Sequence, residues 1–188
     1  MEMTLRAVKT DIDIKKSKAS SAQLTPAMLV DSYSNTLYLF CCRLTYSKED
    51  AEDLFQETFL KVFEQPSKVN KAENPKSFIF STALYLWRSK KRKYARRNRL
   101  APTQALDDQI VSDINIEDSI IRQEDVRQVR ELVHQLPEKY KVPTILHYTA
   151  EMCLSDIAET LNLPVGTVKS RLHKARKLIE KGLSDNGK

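Results

Sequence analysis

The densest chemical signal in the chain lies near its end, in PVGTVKSRLHKARKLIEKGL, residues 164–183. At helical spacing Val168, Leu172, Ala175 and Ile179 fall on one side. Ser170, His173, Lys174 and Lys177 fall on the other, flanked by Lys169, Arg171 and Arg176. The apolar row calls for a core. The opposite face is a bank of cations and hydrogen-bond donors. Lys and Arg neutralise phosphates, and an Arg fork can bond O6 and N7 of one guanine together. A helix over residues 165–181 would run roughly 25 Å at 1.5 Å per residue, enough to lie across a major groove. Gly166 and Thr167 stand at its start, where backbone amides can meet a phosphate. A solvated surface helix would carry a similar face, so the preceding element decides between the two readings.

That element is LSDIAETLNL, residues 154–163. Ser155 can cap a short helix with Ile157, Ala158 and Leu161 inside. Asn162 stands where the chain must turn, and Asn tolerates a left-handed backbone. Leu163 anchors the turn and Pro164 helps to start the last helix. Two helices joined by so short a turn read as a helix-turn-helix, which directs the basic face toward duplex DNA.

Two further constellations lie upstream. From Arg88 to Arg99, RSKKRKYARRNR holds eight bases in twelve residues and no acid. Phe78, Phe80, Tyr85, Trp87 and Tyr94 precede or interrupt it. Such rings can stack on unpaired bases while the cations hold the strand's backbone, or they can simply be core; Trp87 falls on the buried side by spacing. The other constellation is Asp53, Gln56, Glu57 and Leu60, opposite a clean apolar stripe of Ala51, Leu54, Phe55, Thr58, Phe59, Val62 and Phe63. Acids near a helix start satisfy the helix dipole, and an exposed Leu among them also suits a protein-docking face.

The elements that must carry these faces are helical. Three glycines in 188 residues and no alternating β-branched runs predict an all-α chain. Leu29, Tyr33, Leu37, Phe40, Cys41 and Leu44 mark a first helix from about Pro26. Ser47 with Asp50 three residues on resembles a capping box and starts a second. A polar loop with two prolines, residues 64–77, leads to a third helix from about Lys76 into the basic block. Ile121, Val126, Val129, Leu132 and Leu136 resume the helical period. Pro137 punctuates it, and Pro143 lies in the first turn of the next helix or at a kink. Between residues 103 and 125 there are seven acids and one base, the best linker in the chain. The expected organisation is a flexible extension over 1–25, a helical domain over 26–100, an acidic linker over 101–118 and a helix-turn-helix domain over 119–188.

Several function classes fit poorly. His134, His147 and His173 lie in three different helices with no nucleophile signature nearby, and no Walker loop, GxGxxG or HExxH occurs, so the chain does not read as an enzyme. Cys41, Cys42 and Cys153 form neither a disulfide framework nor a zinc motif, and fit core cysteines in a reducing cytosol. No cofactor or metal is called for. No apolar run approaches the ~18 residues of a membrane span. The net charge of +6 and a pI near 9.2 suit a polyanion partner, nucleic acid or membrane surface alike.

Four stretches together resemble the bacterial RNA polymerase sigma factors of the extracytoplasmic-function group of the sigma-70 family: DAEDLFQETFLKVF, PKSFIFSTALYLWRSKKRK, LPEKYKVPTILHY and LSDIAETLNLPVGTVKSRLHKARK. They occur in the family's order, across about residues 29–182. The resemblance implies a transcription initiation factor that brings core RNA polymerase to −35 and −10 promoter elements and aids melting. It implies a polymerase dock, on the β′ clamp, at Asp53, Leu54, Gln56, Glu57 and Leu60, with the β flap as a further contact. It implies −10 contacts from the segment 74–99, with Phe78, Tyr85, Arg88, Lys90, Lys91 and Arg92 as candidates. It implies −35 contacts from Thr167, Lys169, Ser170, Arg171, His173, Lys174 and Arg176. It also implies an anti-sigma factor as partner, a cytoplasmic location, and a linker that threads toward the polymerase's RNA path, where its acids would mimic nascent RNA. Tyr85 and Ser89 depart from the Asn and Asp that the family often carries there, so the −10 preference does not transfer. The competing readings are a helix-turn-helix regulator that binds operator DNA without being a polymerase subunit, and a helical scaffold, which leaves both basic faces unexplained.

Overall fold

A computed structural model of the chain describes residues 24–45, 47–100 and 120–186. The acidic linker and all but the last two residues of the N-terminal extension lie outside the described residues. Those described form eight helices and no strand.

Helix α1 (Pro26–Leu44) opens with local chemistry. The Thr25 hydroxyl accepts the Met28 N–H at 3.3 Å, and Pro26 takes the first position, where a missing N–H costs nothing. Helix α2 (Lys48–Phe63) is capped at Ser47, whose hydroxyl accepts the Asp50 N–H at 3.0 Å; Glu49 and Asp50 face the positive end of the dipole. The loop expected to be irregular contains a short helix, α3 (Pro66–Lys71), started by Pro66 and pinned by buried Val69. Helix α4 (Pro75–Leu100) runs unbroken through the basic block. Leu37, Phe40, Leu44, Leu54, Val62, Ile79, Phe80 and Leu84 fill the space between α1, α2 and α4. Phe40 meets Phe80 edge-on at 5.0 Å between ring centres. Each such large side chain contributes about 1.5–3 kcal/mol by leaving water.

The second body holds α5 (Ile120–Gln135), α6 (Glu138–Tyr148), α7 (Leu154–Leu161) and α8 (Val165–Asn186). Pro143 lies inside α6, beyond the first turn, and so has no N–H for the carbonyl of Lys139. Helix α7 is not capped by Ser155. Its N-cap is Cys153, which makes no capping bond, and Ser155 sits in the first turn with its Oγ 2.9 Å from Cys153 Sγ. Asn162 ends α7 at φ 51° and ψ 55°, the left-handed turn expected of it. The apolar row of α8 packs as its spacing predicts: Val168, Leu172 and Ala175 are buried. Val126 and Val129 of α5 are exposed, although they share the helical period of the buried residues.

The two helical domains pack against one another. Helix α1 meets α6, and α4 meets α7, so one apolar cluster runs from Leu29 through Phe80 to Leu146, Ile157 and Leu172. Ser77 Oγ, buried on α4, donates to the Asp156 carbonyl of α7 at 3.3 Å.

Candidate nucleic-acid interface and protein-docking face

Helix α8 separates its two faces cleanly. Lys169, Ser170, His173, Lys174, Arg176 and Lys177 are exposed, while Thr167 and Arg171 are half-buried at the edges of the packed row. Ser170 Oγ turns back to the Thr167 carbonyl at 2.9 Å. Around Gly166 the space is open, with no atom within 4 Å of where a Cβ would stand. The Thr167 amide already donates to the Pro164 carbonyl at 2.9 Å, so an amide contact to phosphate narrows to Gly166. Arg176 is drawn aside: its Nε donates to the Tyr148 hydroxyl at 2.9 Å and its guanidinium lies 6.0 Å from the centre of that ring.

Helix α4 turns a different face outward. Tyr85, Tyr94 and Arg92 are exposed, and Phe78 is half-buried against the core. Phe80 is fully buried, and Trp87 is buried with the Lys91 ammonium 5.2 Å from its ring centre. Three cations of this face hold carboxylates. Arg88 Nε donates to Glu138 Oε1 at 2.9 Å, Lys91 Nζ to Glu138 Oε2 at 3.2 Å, and Lys90 Nζ lies 3.3 Å from Glu57 Oε1. Burial works against ionisation of Glu138, but the hydrogen bonds from Arg88 and Lys91 outweigh it and hold its pKa below the ordinary carboxylate value.

On α2, Asp53, Gln56, Glu57 and Leu60 form an exposed ridge, and Leu60 keeps 63% of its surface in water. Leu54 does not belong to the ridge. It is fully buried, because it lies on the stripe with Ala51, Thr58 and Val62, so it supports the ridge from beneath and its side chain has no free surface for polymerase. The Glu57–Lys90 contact sets the acidic ridge directly beside the basic face of α4.

Sequence reasoning missed the residues between the bodies. Glu138 drew no reading of its own and stood only within the stretch LPEKYKVPTILHY. An open groove of about 740 Å³ between α1, α5, α6 and α8, lined in part by Arg43, Val129, Arg130 and Tyr148, had no local signal at all.

Residues 29–97 match sigma-70 region 2, and residues 126–179 match sigma-70 region 4. The chain is 32% identical over 166 residues to the extracytoplasmic-function sigma factor SigW of Bacillus subtilis, covering 85% of this chain and 89% of that one. The chain belongs to the extracytoplasmic-function sigma factors of RNA polymerase. It is also 27% identical over 169 residues to the sigma-E factor of Haemophilus influenzae, covering 81% of this chain and 84% of that one. The fold matches the sigma factor RpoE of Bartonella quintana, solved in complex with the anti-sigma factor NepR, at a TM-score of 0.69 and 21% identity, over 82% of this chain and 94% of that one. It matches CnrH, solved with the cytosolic domain of CnrY, at a TM-score of 0.63 and 18% identity, over 92% and 96%. This sigma factor is therefore a transcription initiation factor that binds core RNA polymerase and directs it to promoters; a free-standing operator-binding regulator is not favoured. Its family consists of non-enzymatic initiation factors. Among the described residues no helix is long and apolar enough to cross a membrane.

Proposed function

We propose that this sigma factor divides initiation among three faces. The ridge Asp53, Gln56, Glu57 and Leu60 docks the β′ clamp of core polymerase, and the α5–α8 body meets the β flap. Phe78, Tyr85, Arg88, Lys90, Lys91 and Arg92 hold the unpaired strand of the −10 element. Thr167, Lys169, Ser170, Arg171, His173, Lys174 and Arg176 read the −35 element in the major groove. Residues 26–100 and 119–188 are the working domains, and the acidic linker 101–118 occupies the RNA path until the transcript displaces it.

The observation that carries this reading is the division of α8: an apolar row buried against α6 and α7, and a face of donors and cations left to solvent. Opening DNA costs about 1.4 kcal/mol of stacking per base step. Stacking of flipped bases on aromatic rings returns about 1–3 kcal/mol per base, so melting needs no nucleotide hydrolysis by this chain. The chain supplies specificity and polymerase supplies the chemistry, which sets its working place in the cytoplasm. Both structural neighbours were solved with a bound partner, NepR described as an anti-sigma factor, which supports an anti-sigma factor as a partner here.

Run-off transcription with purified core polymerase tests the reading. Core plus this chain is expected to yield a defined promoter-dependent transcript where core alone yields none. A chain that retards duplex DNA but adds no transcript would overturn it.

A further inference from the structure

Glu138 stands in the first turn of α6, yet its carboxylate serves the other body. One oxygen takes Arg88 Nε at 2.9 Å and the other takes Lys91 Nζ at 3.2 Å. Arg88 and Lys91 are three residues apart on α4, hence on one face, and a single two-oxygen anion bridges them. Glu138 is held in place by a fixed helix. That helix is packed on α1, and the Ser77–Asp156 hydrogen bond ties α4 to the neighbouring α7. The carboxylate therefore meets the two cations at a high effective concentration.

We propose that Glu138 is an internal stand-in for a DNA phosphate: docking of the α5–α8 body on α4 and capture of a single strand by Arg88 and Lys91 exclude one another. The inference rests on the assignment of Arg88 and Lys91 to the −10 strand. Glu138 takes Arg88 Nε and one Lys91 N–H and neutralises charge at both, so a phosphate gains those donors and the full attraction of the two cations only when Glu138 leaves. Strand binding therefore competes with Glu138, and the closed chain is a weaker ligand for unpaired DNA than the open one. Polymerase binding that separates the bodies would free both cations at once.

The test uses the full chain and a fluorescein-labelled single-stranded DNA oligonucleotide, read by anisotropy across a salt series. Glu138→Asp keeps the charge but shortens the reach to α4. Glu138→Gln keeps the size and removes the charge. Both are expected to bind the strand several-fold more tightly than the parent, with thermal melts showing the fold intact. Glu159→Gln, an exposed charge removal on α7, is expected to change affinity far less. In the parent, Förster transfer between labels at Ser67→Cys and Cys153, in a Cys42→Ser background, is expected to fall when DNA is added. Unchanged affinity in both Glu138 variants overturns the proposal, as does an effect of Glu159→Gln equal to theirs or transfer that DNA leaves constant. Arg88→Ala with Lys91→Ala separates this from the −10 assignment. If that pair loses strand binding while the Glu138 variants match the parent, only the stand-in fails. If the same pair placed in Glu138→Gln binds like Glu138→Gln alone, the assignment of these cations fails and the stand-in with it.

Discussion

Lys141 Nζ lies 3.3 Å from Nδ1 of His134, and Nε2 of the same ring lies 3.4 Å from the Thr45 carbonyl on the other body. The partners assign the tautomer: Nε2–H donates to Thr45, and Nδ1 accepts from Lys141. Lys141 is only 4% exposed. Burial first, and the nearby positive charge of Lys91 second, push its pKa from 10.5 down to about 8, with Glu138 acting in the opposite sense. Burial, then Lys141, also lower the His134 pKa, against the Thr45 hydrogen bond.

Between about 8 and 10.5 the unfolded chain binds a proton at Lys141 that the folded chain has released, so stability rises with pH across that window. His134 acts in the same direction just below its ordinary 6.5. Urea unfolding of the parent and of Lys141→Met, repeated from pH 7 to 10.5, isolates the lysine. The parent should gain on the order of 2 kcal/mol relative to the variant as pH rises. Parallel curves would show that the ammonium is solvated and the joint insensitive to it.

Within the proposed −35 face, a protein partner sets Arg176 apart from its neighbours. Lys174 points to solvent from the middle of α8 and Arg171 borders the packed row, whereas Arg176 is engaged with Tyr148. Arg171→Ala should cost about 1–3 kcal/mol at one base position and relax sequence preference there, if its fork reaches a base edge. Lys174→Ala should weaken all duplexes evenly and flatten the salt slope by about one ion. Tyr148→Phe removes the acceptor for Arg176 and should raise nonspecific duplex affinity by releasing a cation. Binding measured on matched and scrambled −35 duplexes across a salt series separates these outcomes.

On the ridge proposed to dock polymerase, an exposed leucine flanked by carboxylates and an amide is the centre to test. Leu60→Ala should lower core affinity by at least tenfold, as truncation of an anchor at an interface centre does. Glu57→Gln should do two things at once, weakening the dock and releasing Lys90 from its 3.3 Å contact. Its signature is poorer core binding with better single-strand binding. Leu54→Ala should instead unfold: it removes a fully buried side chain, at about 2–5 kcal/mol. Core-binding titrations paired with thermal melts tell a dock residue from a core residue.

What could be read in advance was what is local. Ser47 caps its helix through a bond three residues away, although Ser155, expected on the same rule, does not; Asn162 turns where its backbone tolerance suits it, and the row Val168, Leu172, Ala175 needs only helical spacing to show itself. For Leu54 the stripe and the family resemblance pointed in opposite directions, and the stripe described its burial. Contacts between distant parts left no trace. Arg88 and Glu138 are fifty residues apart and His134 and Thr45 eighty-nine, so no window of sequence holds both partners. Val126 and Val129 have the right period but face water, since period assigns a face and not the neighbour that covers it.

The turn of the helix-turn-helix offers the sharpest local test. The Leu163 N–H returns to the Ala158 carbonyl at 2.9 Å and the Asn162 N–H to Glu159 at 3.1 Å, a Schellman closure that requires Asn162 at φ 51°. Asn162→Gly should be nearly neutral, because glycine enters this region without steric cost. Asn162→Val should lose about 1–2 kcal/mol, because a branched Cβ clashes with the following carbonyl there. The turn sets the angle at which α8 leaves α7, so Asn162→Val should also lower −35 affinity beyond what its lost stability explains. The comparison is made at a temperature where melts show every variant folded. Equal −35 affinity in the valine and glycine variants would mean that α8 finds its groove independently of this turn.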